Sequence, residues 1–156
     1  MSETFEPGEA RLTNFRRSFL LPLVVSGGLI LVDILTKIVV RGFAFPIVLA
    51  PQLSIRATDN TAGPLAIGSR PLVGIVSGIV LLLCALWFLR TDDRYERYGL
   101  ALILGGGIAN LAERIFFHRV TDILMIGTSA WNIADGVVIL GSLILVFGWL
   151  HRSRIA

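Results

Sequence analysis

Apolar residues run almost unbroken over four stretches, Phe19 to Val40, Pro71 to Leu89, Tyr98 to Ile115 and Trp131 to Leu150. A hydrocarbon core about 30 Å thick takes roughly 20 such residues in a helix, and a crossing backbone must satisfy its own hydrogen bonds, as a helix does. The chain is therefore expected to fold as an all-α membrane protein, a four-transmembrane-helix bundle formed as one domain over its 156 residues. Composition agrees, since 54% of residues are apolar and mean hydropathy is +0.78, well above ordinary soluble domains.

Charge then orients the bundle. Arg11, Arg16 and Arg17 precede the first run, Arg90, Arg94 and Arg97 separate the second from the third, and Arg152 and Arg154 follow the fourth. Four crossings put these segments on one side, which the positive-inside rule makes cytoplasmic, so both termini are expected inside. The pI of 9.8 does not imply nucleic acid, because the arginines neither line a helix nor alternate with stacking aromatics. Arg16 and Arg17 ahead of an apolar stretch resemble the start of a secretory signal, but that stretch is too long and holds Asp33 and Lys37, which favours a retained span. Residues 1–17, with Pro7 and Gly8, are expected to be a disordered cytosolic tail.

The single cysteine, Cys84, cannot form a disulfide within the chain, and neither His118 nor His151 has a plausible metal partner. No metal or cofactor is expected. The cytoplasmic connection RTDDRYER reads as a solvated turn. The outer connection, about Arg41 to Arg70, contains LSIRA at 53–57, which alternates as a strand does, followed by the turn-forming DNTAGP. A small extracytoplasmic β element is expected there. GGGIA at 105–109 would admit a closely packed helix, either one of the bundle's own or a substrate's.

Polar groups distant in sequence converge on one depth. At 1.5 Å per residue, Asp33 lies roughly 21 Å into the first span and Lys37 about 6 Å beyond it, towards the outer face. Asn110, Glu113 and Arg114 close the third span on that face. Asp122 follows in the outer loop, Asn132 and Asp135 open the returning fourth span, and Asp59 and Asn60 belong to the outer connection. Charges in a span cost roughly 2.5 to 3.5 kcal/mol each on insertion scales and tend to be functional. Each has a plainer role: Lys37 and Arg114 can snorkel, Asp33 and Lys37 can neutralise each other as an i, i+4 pair, and Asn132 can cap a helix. Two neighbouring aspartates also have a chemistry of their own, one acting as base on a water while the other donates to the scissile carbonyl. No histidine is placed to activate a hydroxyl or thiol nucleophile.

These residues resemble the lipoprotein signal peptidases, the signal peptidase II family, over nearly the whole chain. The family's D-x-x-[TS]-K appears as Asp33, Thr36 and Lys37, and its N-x-G-x-A-F begins at Asn60. Its G-N-x-x-D-R is represented by Ala109, Asn110, Glu113 and Arg114, its V-x-D-F by Val120 to Ile123, and its F-N-x-A-D by Trp131 to Asp135. The resemblance implies an aspartyl endopeptidase of the bacterial inner membrane, with Asp122 and Asp135 catalytic and the active site facing the periplasm. Its substrate would be a lipid-modified prolipoprotein met in the lipid bilayer, and the enzyme a monomer. Asn60, Asn110, Arg114 and Asn132 would position substrate or brace the dyad, supported by Asp33, Lys37 and Glu113. The chain departs from the pattern at Glu113, where the family has Asp, at Ala109 for glycine, and at Pro64 after Asn60. Two other readings are a paralogue that binds lipoproteins without turnover and a small ion-coupled transporter.

Overall fold

The structure, a computed structural model, describes residues 7–61 and 70–153. Four helices, α1 (Pro7–Arg41), α2 (Arg70–Arg90), α3 (Arg94–Phe117) and α4 (Ile133–Ser153), contain the four apolar spans. Helix α1 already begins at Pro7, inside the segment expected to be disordered. A strand pair, β1 (Ile47–Ala50) and β2 (Leu53–Asn60), follows α1, and a second pair, β3 (Val120–Ile126) and β4 (Ser129–Trp131), lies between α3 and α4. Together they form one antiparallel sheet in the order β1-β2-β3-β4.

The burial pattern on α1 reverses that of a soluble helix. Pro22, Ser26, Asp33, Lys37 and Val40 are buried, at spacings that keep them on one face, while Leu20, Val24, Leu31, Leu35 and Ile38 are exposed. The polar residues thus face protein and the aliphatic ones face lipid. Ser26 Oγ donates to the Ala101 carbonyl of α3 at 2.7 Å, a cross-helix bond of the kind that joins membrane helices.

Helix α3 packs on each of the other three helices, and its glycines are the reason. Successive helical residues point about 100° apart, so three adjacent glycines open three directions. A Cβ at Gly105 would collide with Ser26 Oγ of α1, one at Gly106 would lie 2.5 Å from the Ala134 carbonyl oxygen of α4, and one at Gly107 would lie 2.5 Å from Leu81 Cδ2 of α2. The room is filled by the bundle's own helices, not kept for a substrate helix. Gly106→Ala should therefore force α3 and α4 apart beside Asp135, costing about 1–3 kcal/mol as overpacking does. Gly78→Ala, whose Cβ meets nothing within 4 Å, should leave stability unchanged or raise it slightly. Thermal melts of the two variants in detergent check this contrast, and equal melting temperatures would contradict it.

The turn before α3 is more than solvated chain. Asp93 caps α3 by accepting from the Glu96 amide at 2.9 Å, and Glu96 in turn takes the Trp87 indole at 2.9 Å and Arg152 at 2.6 Å. Arg97 is buried, donating to the Thr91 carbonyl at 2.9 Å and to Asp92 at 2.7 Å. These bonds tie α2, α3 and α4 together at the end of the bundle remote from the sheet.

Candidate active site

Asp122 lies on β3, in a segment expected to be loop, and the sheet register explains what it meets. Thr58 is its cross-strand partner, with Asp59 opposite Thr121 and Asn60 opposite Val120. Side chains two apart share a face, so Asn60 reaches Asp122 diagonally, Nδ2 donating to Oδ2 at 3.0 Å. Asp59 and Asn60 are thus strand residues, although DNTAGP reads as a turn. The motif positions from Ala62 to Leu65 lie outside the described residues.

Asp135 enters from the other side, in the first turn of α4. Asn132 is the residue before that helix, and the two form a reciprocal cap. The Asp135 amide donates to Asn132 Oδ1 at 2.8 Å, and the Asn132 amide donates to Asp135 Oδ2 at 3.2 Å, as in a capping box. The same Asn132 donates through Nδ2 to Asp122 Oδ1 at 2.8 Å and to Asn110 Oδ1 at 3.3 Å. Asn110, from α3, donates through Nδ2 to Asp135 Oδ1 at 2.8 Å. Both carboxylates therefore touch Asn132, and each of their four oxygens accepts a donor from Asn60, Asn110 or Asn132.

Behind this ring lies an ionic chain. Lys37 Nζ is 2.7 Å from Asp33 Oδ2 and 3.0 Å from Glu113 Oε2, with Asp33 1% and Lys37 4% exposed. Its two ends grip backbone. Asp33 Oδ1 accepts from the Ala134 amide at 3.0 Å, and Glu113 Oε2 accepts from the Thr121 amide at 2.9 Å. Thr121 and Ala134 immediately precede Asp122 and Asp135, so one buried clamp fixes the backbone leading into each acid. Arg41 adds a bond to the Thr121 hydroxyl, and Asp59 pairs with Arg41 at 3.3 Å and Arg119 at 2.9 Å. Thr36 spends its hydroxyl on carbonyls of its own helix. Arg114 is half-buried and makes no ion pair with another described residue.

All nine site residues anticipated from sequence thus fall in one layer. Reasoning on residue types missed Thr121 and Ala134, whose contribution is a backbone amide that no side chain signals; adjacency to the two aspartates was the one clue. Among the described residues no group of three or more His, Cys, Asp or Glu is set to hold a metal ion.

Two solved structures, described as bacterial membrane enzymes determined by the in meso method at 2.3 Å and 1.9 Å resolution, share this architecture. They superpose with TM-scores of 0.74 and 0.71 over 85% and 83% of this chain and 89% and 92% of theirs, at 18% and 19% identity. The chain shares the fold of these two structures. The model of the signal peptidase (SPase) II family matches residues 25–151, and the chain belongs to that family. Lipoprotein signal peptidases of Bartonella tribocorum and Brucella ovis are 33% and 30% identical to it over 94 and 95 residues, 53% and 54% of this chain. The chain spans a little over half the length of these curated relatives, 56% and 59%.

Proposed function

We propose that this chain is an intramembrane aspartyl endopeptidase that removes signal peptides from diacylglyceryl-modified prolipoproteins. The observation that carries the reading is the asparagine ring: two acids from different elements are held to a common residue, Asn132, at the outer end of a membrane bundle. Asp122 and Asp135 share the work. One carboxylate takes a proton from a water, whose oxygen attacks the scissile carbonyl carbon, while the other, protonated, donates to the carbonyl oxygen. Collapse of the tetrahedral intermediate breaks the C–N bond, and the proton first taken from water passes to the leaving nitrogen. Asn60, Asn110 and Asn132 orient the acids, and the Asp33–Lys37–Glu113 clamp sets their backbone. Arg114, which forms no ion pair with another described residue, is placed to meet substrate.

Membership of the family and the names of its relatives support the substrate class. The arginine distribution supports both termini in the cytoplasm, the dyad towards the periplasm and residence in the bacterial inner membrane. Glu113 Oε2 accepts from Lys37 and from the Thr121 amide, which supports the glutamate serving where the family has Asp. Purified protein should cleave a diacylglyceryl-modified precursor and leave the unmodified precursor essentially intact, with products read by mass spectrometry. Equal cleavage of both, or of neither, would remove the substrate assignment.

A further inference from the structure

Between Arg41 and Arg56 the chain carries no charged residue, reading GFAFPIVLAPQLSI, with Pro46 and Pro51 on either side of β1. All four residues of β1 are exposed, and with the residues leading into it they include Phe45 at 82%, Val48 at 69% and Leu49 at 56%. Alternate residues of a strand face opposite ways, so Ile47 and Val48 present opposite faces, before a register shift at Leu49. Both faces are apolar and both are uncovered. One edge of β1 is bonded to β2, while the other bounds the sheet. In water such an edge invites aggregation.

We propose that β1 and the Phe43–Phe45 segment form an interfacial anchor immersed in the lipid leaflet on the dyad's side of the membrane. Three features select lipid over a protein. A partner sheet or helix would cover one face of the strand, whereas lipid wraps both. The apolar surface is continuous with the lipid-facing side of α1, where Leu35, Ile38 and Val39 are exposed within two turns of Arg41. Arg56, on the neighbouring strand β2, is exposed and forms no ion pair with a described residue, which suits a lipid phosphate. The free edge of β1 also fixes the depth. Unpaired N–H and C=O groups are too costly in the hydrocarbon core, so the strand lies at the headgroup boundary, with its side chains reaching inward.

The anchor has a mechanical use. From β1 the ladder runs to β2, which carries Asn60, and on to β3, which carries Asp122. Holding the outer strand at the boundary therefore sets the height of half the candidate site above the leaflet. This use rests on the peptidase reading, whereas the anchoring itself does not.

The test is a nitroxide spin label at Val48→Cys in a Cys84→Ser background, since Cys84 is the chain's one cysteine. The protein is reconstituted in vesicles of phosphatidylethanolamine and phosphatidylglycerol, with Ile38→Cys as the bilayer control and Asp92→Cys as the aqueous one. Oxygen should reach the label at position 48 more readily than a water-soluble nickel chelate does, placing it nearer Ile38 than Asp92. Chelate access equal to that at Asp92 overturns the anchor, as does spin–spin broadening that reveals a second copy on the strand. Val48→Asp should then lower cleavage of lipidated precursor about tenfold in vesicles while leaving the rate in detergent unchanged. Equal rates in both settings would remove the mechanical use and leave the depth result standing, and a protein inactive in both settings with a normal label depth would point to the peptidase reading instead.

Discussion

Asp122→Asn and Asp135→Asn should each lower the cleavage rate of a lipidated precursor by about 10²–10⁴-fold, the range that loss of a positioned acid or base produces. An amide is nearly the size of a carboxylate, so the bundle should persist. The hydrogen bonds will not persist unchanged, because Asp122 now accepts from both Asn60 and Asn132 and an amide at 122 would turn its NH2 towards one of those donors. A modest drop in melting temperature is therefore expected alongside the loss of rate. The double variant should be no slower than the worse single one, since groups that act as a unit are strongly non-additive. Single-turnover cleavage by folded, purified variants makes the measurement, and a wild-type rate from either one ends the dyad assignment.

Lys37→Met should have the largest effect on stability. It leaves Asp33 and Glu113 without the cation that joins them, and removing one partner from a buried ion pair typically costs about 3–5 kcal/mol. The loss should also reach the rate, because the two carboxylates hold the Thr121 and Ala134 amides. Uncharged replacements can still accept from those amides, so Asp33→Asn, Lys37→Met and Glu113→Gln combined should recover much of the stability lost in the single variant. Denaturation of the single and triple variants in detergent distinguishes the cases. A single variant as stable as wild type would show that the clamp holds nothing.

The four spans were legible because hydropathy depends on composition over some twenty residues and tolerates local exceptions. The polar layer was legible because the helical rise converts sequence position into depth. The β element expected at LSIRA is present as β2, but the strands that pair with it escaped. VTDILMI looks like a loop beside two spans, and its strand character shows only through the partner it finds in β2. One local signal was available: Ile126 pairs with Ser129 across Gly127 and Thr128, and Gly127 has φ +60°, the backbone that a two-residue hairpin with glycine first requires. Likewise Asp59 and Asn60, residues that favour turns, become strand because β3 pairs with them, and tertiary context overrides such preferences. Five motifs in order were enough to point to a family, yet the clamp on the Thr121 and Ala134 amides required coordinates.

The reciprocal bonds between Asn132 and Asp135 give one acid of the proposed dyad a second occupation. Its carboxylate shields a backbone amide at the point where a membrane helix begins, so any substrate or inhibitor that draws that oxygen away also exposes the start of the helix. Occupancy of the candidate site and order at the start of the last span are thereby made two readings of a single event. Loosened protection of the Asn132 amide, the one that Asp135 holds, would report engagement of the acid directly, without turnover being observed at all.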